Sequence, residues 1–340
     1  MSVRAVTAEV RPPLLIALAV LLAALLAAAL LHLLFGTRQI GVPAVVDALL
    51  AFDRDDFDHQ VLLRFRLPRL LAAMVVGGAL GLCGALLQAL VRNPLAEPQL
   101  LGLNAGAALA VVASATLLPS GLGLDLARPW IAALGALSVF GLVMALSAFG
   151  RNGPTPLKLI LCGVAVSAFA SALTSAMLLL DEQALEDLRL WLSGDLAGQE
   201  YDRLLLVLPT FLAGSIAAFL LAPQLGVLML GDTVAKGLGV NVAAVRVAAL
   251  FVAALLCGSA VTLAGPIGFV GLLVPLLVRR LVGPALGANL LACLIAGPIL
   301  LLAADLVART IFAPQEIATG VVTGALGAPV FVFLVARYFR

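Results

Sequence analysis

The chain has 340 residues, 63% of them hydrophobic and 11% charged, with a mean hydropathy of +1.19 and a formal net charge of +2. A soluble domain carries about 25% charge, and a soluble core of this size could not hide so much apolar surface. Neither a basic patch nor an aromatic-basic stripe argues for nucleic acid, so the expected class is an all-α polytopic membrane protein, a single transmembrane domain over residues 1–340.

Ten apolar runs bounded by polar residues or Pro and Gly are candidate spans: 14–35, 69–91, 99–118, 129–149, 157–180, 203–222, 244–264, 267–282, 285–305 and 319–339. Most have about the 20 residues that a helix needs to cross hydrocarbon. Helix is the expected form, because lipid offers backbone N–H and C=O groups no partner. The first run, with 22 residues, is longer than the ~7–15 apolar residues of a signal peptide and reads as a retained first helix.

Between the first and second spans lies a polar stretch, "AFDRDDFDHQ" (51–60), followed by "RFRLPRLL" (64–71), with three arginines at the mouth of an apolar run. The second span reads "VVGGALGLCGALLQAL" and puts Gly77, Gly81, Gly84 and Gln88 on one helical face. Small residues there suit close helix packing. Gln88 fits either a contact with a neighbouring helix or the lining of a passage. Asn93-Pro94 and Glu97-Pro98 then forbid a continuous helix and make a stiff connector.

Further along, residues 181–204 carry Leu185, Leu188 and Trp191 or Leu192 at helical spacing, which fits a short surface helix or a solvated loop. In the connector 222–246, "DTVAKGLG" reads as a short helix, with Asp232 as its starting cap and Gly237 or Gly239 at its end. Val234 and Leu238 give it a small apolar face, fit for a partner's grip or for resting on lipid. The eighth span contains Pro275 and opens on the break "GPIGF"; in the ninth, Asp305 and Arg309 stand at i, i+4, the spacing of an ion pair.

An even number of spans puts both termini on one side. With the termini in the cytoplasm, eleven of the twenty Lys and Arg residues and three of the eighteen acids fall inside. The basic bias favours this orientation.

Several chemistries find no residues. There is no G-x-x-x-x-G-K-[ST] loop, and neither lysine, Lys158 or Lys236, follows a glycine. HExxH and a Ser/His/Asp arrangement do not occur; His32 and His59 stand apart. Cys83, Cys162, Cys257 and Cys293 each lie in an apolar run and read as packing residues rather than disulfide or metal ligands. An ion-coupled carrier needs intramembrane ionisable groups or broken-helix ion sites, and no carboxylate accompanies the break "GPIGFVGLLVP".

The run "RLPRLLAAMVVGGALGLCGALLQALVRNPLAEPQLLGLNAGA" resembles the signature of the permease subunits of type II ABC importers for iron chelates, haem and vitamin B12. "WLSGDL", "LGDTVAKGLGV", "GPIGFVGLLVP" and then "AADLVAR" with "GVVTGALGAPVFVFL" follow in the family's order, from about Leu62 to the C-terminus. The resemblance implies a vitamin B12/haem importer permease-like fold of about ten transmembrane helices in the bacterial inner membrane, both termini cytoplasmic. It implies a dimer, read here as a homodimer, with a translocation path on its axis. Two copies of an ATPase subunit would carry ATP and Mg, and a periplasmic substrate-binding protein would deliver the cargo. This chain would bind no cofactor and be no enzyme.

The resemblance also implies roles. Arg66, Arg69 and Arg309 match positions that receive acidic residues of the binding protein. On this view Pro68 sits in the first turn of its helix, and Arg66 and Arg69 extend to the surface over their apolar stems. Gly231, Asp232, Val234, Ala235, Lys236, Leu238 and Gly239 match the segment that seats in the ATPase. Asn93 and Leu95 match the inner constriction, Gln88 lies on the path, and Pro156 and Leu157 of "GPTPLK" stand at a second gate loop. The chain departs from the family at Leu276, where a His usually follows Pro275, and at Ala318, where Glu316–Gly320 usually carries a proline. An iron chelate, a ferric siderophore or haem, is the expected cargo. Vitamin B12, an ion-coupled secondary transporter and a structural membrane subunit are the alternatives.

Overall fold

The computed structural model describes residues 13–36, 38–117, 127–149, 156–180 and 191–338, and these contain no β-strand. In chain order the helices are α1 (Leu14–Leu34), α2 (Val42–Leu50), α3 (Phe57–Val61), α4 (Leu67–Val91), α5 (Leu103–Leu117), α6 (Arg128–Ala148), α7 (Pro156–Leu180), α8 (Tyr201–Leu228), α9 (Asp232–Gly237), α10 (Val242–Ala264), α11 (Val270–Val282), α12 (Leu286–Thr310) and α13 (Thr319–Tyr338). All ten expected segments are helical, and seven helices are long and apolar enough to cross a membrane by themselves. The amphipathic stretch at 181–190 lies outside the described residues.

Two helices run past their expected ends, the sixth span to Leu228 and the ninth to Thr310, and two starts differ from expectation. The third expected span starts later, as α5 at Leu103, because residues 92–102 run as consecutive turns after the two X-Pro breaks. The second starts earlier: α3 continues through a π-helical turn (Leu62–Arg66) into α4, making one 35-residue rod, Phe57–Val91. Pro68 explains the turn. It has no N–H to give back along the helix, and the wider register leaves the Leu63 carbonyl to the Tyr201 hydroxyl, which donates to it at 2.7 Å.

The rod is the hub. In its most apolar stretch 83% of residues are buried, against 11% in α1, which therefore faces lipid. The expected glycine face of α4 is a contact groove. A Cβ on Gly77 would fall 2.5 Å from the Pro298 nitrogen, one on Gly81 2.7 Å from the Cys293 carbonyl, and one on Gly84 1.9 Å from the Gly271 carbonyl. Backbone on backbone is how helices gain dispersion contact where lipid removes the hydrophobic drive.

The break "GPIGF" leaves Gly265–Phe269 without helix between α10 and α11. Gly265 takes φ +67, and a Cβ there would meet the Trp191 carbonyl at 1.8 Å. Irregular backbone within a membrane protein must find partners in protein. Here Asn104 donates to the Ile267 carbonyl at 2.9 Å, and the Phe269 N–H is taken by the Glu97 carboxylate.

Candidate functional site

At the end of the bundle where α4 begins, ionisable groups from four parts of the chain meet around Asp305 of α12, which is fully buried. Arg69 of α4 donates from Nε to both carboxylate oxygens, at 3.2 and 3.0 Å, and from a terminal nitrogen at 2.8 Å. Thr319 at the start of α13 donates to it at 2.7 Å. His32 of α1 places Nε2 at 2.8 Å, and Arg309 places Nε at 3.3 Å. Asp305 is ionised under two guanidinium groups, so His32 Nε2 carries the proton of that bond. Arg69 also reaches Glu316 at 2.7 Å. Arg66 donates to the carbonyls of Leu33 and Arg38, and Arg309 to the carbonyl of His32 at 3.2 Å. The last carbonyls of α1 have no helical N–H beyond them, and the two arginines supply it. Arg38, Arg66, Arg69, Arg309 and Glu316 line a cavity of about 350 Å³.

Arg66 and Arg69 therefore do not extend to the surface as expected. Both are buried, because a buried carboxylate and open carbonyls lie within their reach. Arg64, in the same π-helical turn, is exposed.

At the opposite end of α4 the chain turns at Arg92, which has left-handed φ 54. Asn93 accepts the Leu95 N–H at 3.0 Å, so the expected stiff connector is a side-chain-locked turn. Leu95 is buried and clusters with Leu272, and Phe269, Leu276 and Phe331 pack against the pair. Gln88 donates to the Gly271 and Leu272 carbonyls at 3.4 and 3.3 Å, so it contacts α11. Glu97 is buried, and burial pushes its carboxyl up to about 7, against the opposing pull of the Phe269 N–H. Asn289 donates to the Pro275 carbonyl at 3.3 Å, next to the departure at Leu276.

Beside this turn lies α9. The expected short helix is present, but Asp232 does not cap it. Gly231, at φ +116, holds the cap position without a side-chain bond. The Asp232 carboxylate instead takes Arg92 and, at 2.9 and 3.0 Å, Arg246, because charge-assisted bonds outcompete bonds to neutral N–H groups. Ala235 is buried, while Val234 and Leu238 are 47% and 64% exposed; Lys236 and Gly239 are also exposed.

This layout, a central helix capped by charge at both ends with a short helix exposed between two spans, has close counterparts. The model of the FecCD transport family matches residues 22–337. The chain belongs to the FecCD transport family. It is 37% identical over 322 residues to the probable siderophore transport system permease protein YfiZ of Bacillus subtilis, covering 95% of this chain and 96% of that one. It is 40% identical over 322 residues to the ferric enterobactin transport system permease protein FepD of Escherichia coli, covering 94% and 95%. A solved structure described as an inward-facing metal-chelate type ABC transporter superposes with a TM-score of 0.78 at 31% identity, over 95% of this chain and 99% of that one.

As a member of the FecCD transport family the chain is a multi-pass membrane protein, and its relatives are permease subunits of transport systems. Its fold brings Arg66, Arg69 and Arg309 together around one cavity, and Leu95 and Gln88 together against α11, with Asn93 in the turn between them. Leu157 stands apart, exposed in the first turn of α7. Pro156 opens that helix, its side chain and residues 151–155 lying outside the described residues. Sequence reasoning missed His32, Thr319 and Glu316 around Asp305, and Arg92 and Arg246 on Asp232. Their partners are too distant along the chain for spacing to reveal. For Asp305 itself the signal was its i, i+4 spacing to Arg309, which pairs with it.

Proposed function

We propose that this permease forms the translocation path of an ATP-driven importer for an iron chelate. It works as a homodimer in the bacterial inner membrane, with both termini and α9 on the cytoplasmic side. Two copies of a separate ATPase bind there and carry ATP and Mg, and a periplasmic binding protein delivers the chelate to the Arg69 end. The relatives named for siderophore and enterobactin transport favour this cargo class.

The observation that carries the reading is α9. At six residues it is too short to span, it sits between two spans, and its buried Ala235 leaves Val234 and Leu238 pointing away from the bundle. That is a docking knob. Nucleotide-driven movement of the ATPases would push α9, and the Asn93–Leu95 turn packed on α11 would shift with it. At the other end, three buried arginines, Arg66, Arg69 and Arg309, face three carboxylates, Asp195, Asp305 and Glu316. Arg69 and Arg309 each pair with Asp305, whereas Arg66 gives its hydrogen bonds to backbone carbonyls rather than to a carboxylate, and a carboxylate of the binding protein fits its guanidinium.

The test is reconstitution in proteoliposomes with the cognate ATPase and binding protein. Uptake of ferric chelate should require ATP, and Val234→Asp/Leu238→Asp should lose both ATPase co-purification and uptake. Uptake by the permease alone under an ion gradient would refute the proposal.

A further inference from the structure

The Asp232 carboxylate has an unusual set of neighbours for the first residue of a six-residue helix. Arg92, which pairs with it, is the residue at which α4 ends, and Arg246, which grips both its oxygens, belongs to the second turn of α10. One carboxylate on the exposed helix thus fastens the ends of two helices that are buried for most of their length.

What lies beyond each arginine gives the arrangement direction. Arg92 is followed at once by Asn93, whose side chain locks the turn, and by Leu95, which forms with Leu272 a buried cluster against which Phe269 packs. Arg246 lies on α10, whose far end leads into the Gly265–Phe269 break and so to the same Phe269. Two routes from Asp232, one through α4's terminal turn and one through α10, therefore converge on the start of α11.

The backbone at Arg92 supports a role for the side chain itself. A helix end with left-handed φ ordinarily takes glycine, which has no Cβ to strain. Here the position holds an arginine, and its guanidinium also lies beside Gly231, 3.9 Å from where a Cβ on that glycine would stand. The ion pairs are partly exposed, at 36–40% of each side chain. Pairs of that kind contribute little to stability, so a stabilising function does not account for them.

The geometry points to Asp232, Arg92 and Arg246 as the mechanical linkage of the permease: movement of α9 is transmitted through the two ion pairs to the Asn93–Leu95 turn and to α10, and from both to Phe269 and α11. Arg92 and Arg246 are positioning residues that touch neither cargo nor nucleotide. This rests on the proposal that α9 receives the ATPase.

The experiment uses the complete importer in proteoliposomes and reads chelate uptake per ATP hydrolysed. Arg92→Gln should retain ATPase co-purification and ATP hydrolysis while uptake per ATP falls at least about fivefold, the lower bound of a typical coupling between sites. Arg92→Lys, which keeps the charge, should recover part of the loss. In the double variant Arg92→Gln/Asp232→Asn, uptake per ATP should be no lower than in Asp232→Asn alone, since one linkage cannot be cut twice. Wild-type uptake per ATP in Arg92→Gln, or losses that simply multiply in the double variant, would overturn the assignment. Loss of ATPase co-purification in Arg92→Gln would also overturn it, by making Arg92 a docking residue. Val234→Asp/Leu238→Asp tests the underlying contact separately: if the ATPase still co-purifies with that variant, the reading of α9 fails whatever Arg92 does.

Discussion

Among the described residues two buried carboxylates sit under opposite conditions. Asp305 is surrounded by donors, two of them guanidinium groups, and stays charged. Removing its anion would strand those cations, and breaking a buried pair on one side costs about 3–5 kcal/mol. Glu97 accepts a single backbone N–H, from Phe269, and burial lifts its carboxyl from 4.5 to about 7. The sign of the consequence is fixed. Between about pH 4.5 and 7 the folded protein holds a proton on Glu97 that the unfolded chain has released, so stability falls as pH rises through that window. Glu97→Gln has no proton to lose. Thermal unfolding in detergent should find it close to wild type at pH 5 and more stable at pH 8, by about 2–3 kcal/mol. Equal stabilities at both pH values would mean that Glu97 is ionised in the fold at little cost.

At the scale of elements, the α4 groove is the packing feature that decides whether the bundle closes. Gly84 allows α4 to lie against the first turn of α11, and the added Cβ at 1.9 Å from the Gly271 carbonyl meets backbone that cannot yield. Gly84→Leu should therefore cost several kcal/mol, about 3 or more, read as loss of monodisperse protein and a lowered unfolding midpoint. Gly226→Ala in α8, where nothing lies within 4 Å, should be neutral or slightly stabilising. This groove was legible from Gly77, Gly81 and Gly84 alone, because helical periodicity and small residues in an apolar run admit few other readings. The break at Gly265–Phe269 and the short helix at Asp232 were legible from Pro and Gly punctuation. The extension of α4 back to Phe57 was not. Five of its ten residues, Asp58, His59, Gln60, Arg64 and Arg66, are polar or charged, which breaks the apolar run that marks a span. The Asp232 cap was misjudged for a related reason: local propensity names the nearest N–H groups as partners, while Arg92 lies 140 residues away. The Arg69–Asp305 pair, 236 residues apart, was invisible on the same grounds.

For the whole molecule, the decisive geometry is that one rod connects both candidate interfaces. Phe57–Val91 is 35 residues long, about 50 Å at helical rise. It carries Arg66 and Arg69 near one end and meets Asp232 through Arg92 just past the other. On the proposed function, the face that receives the binding protein and the face that receives the ATPase therefore lie at the two ends of a single element. The charge at the first end should then be readable in docking. Arg69 and Arg309 are committed to Asp305, whereas the hydrogen bonds of Arg66 go to two backbone carbonyls. Its charge is the one most available to an incoming carboxylate at the cavity it lines. Arg66→Gln removes the charge and, with its shorter side chain, at least one of the two carbonyl bonds, so the salt dependence isolates the charge. Capture of the cognate ferric-chelate binding protein by the permease–ATPase complex in nanodiscs should weaken about tenfold, the worth of roughly 1.4 kcal/mol. Because that term is electrostatic, the gap between wild type and variant should narrow as salt is raised from 0.05 to about 0.5 M. An affinity unchanged at low salt would move the docking site away from this cavity, and the exposed Arg64 in the same turn would then be the cation to test.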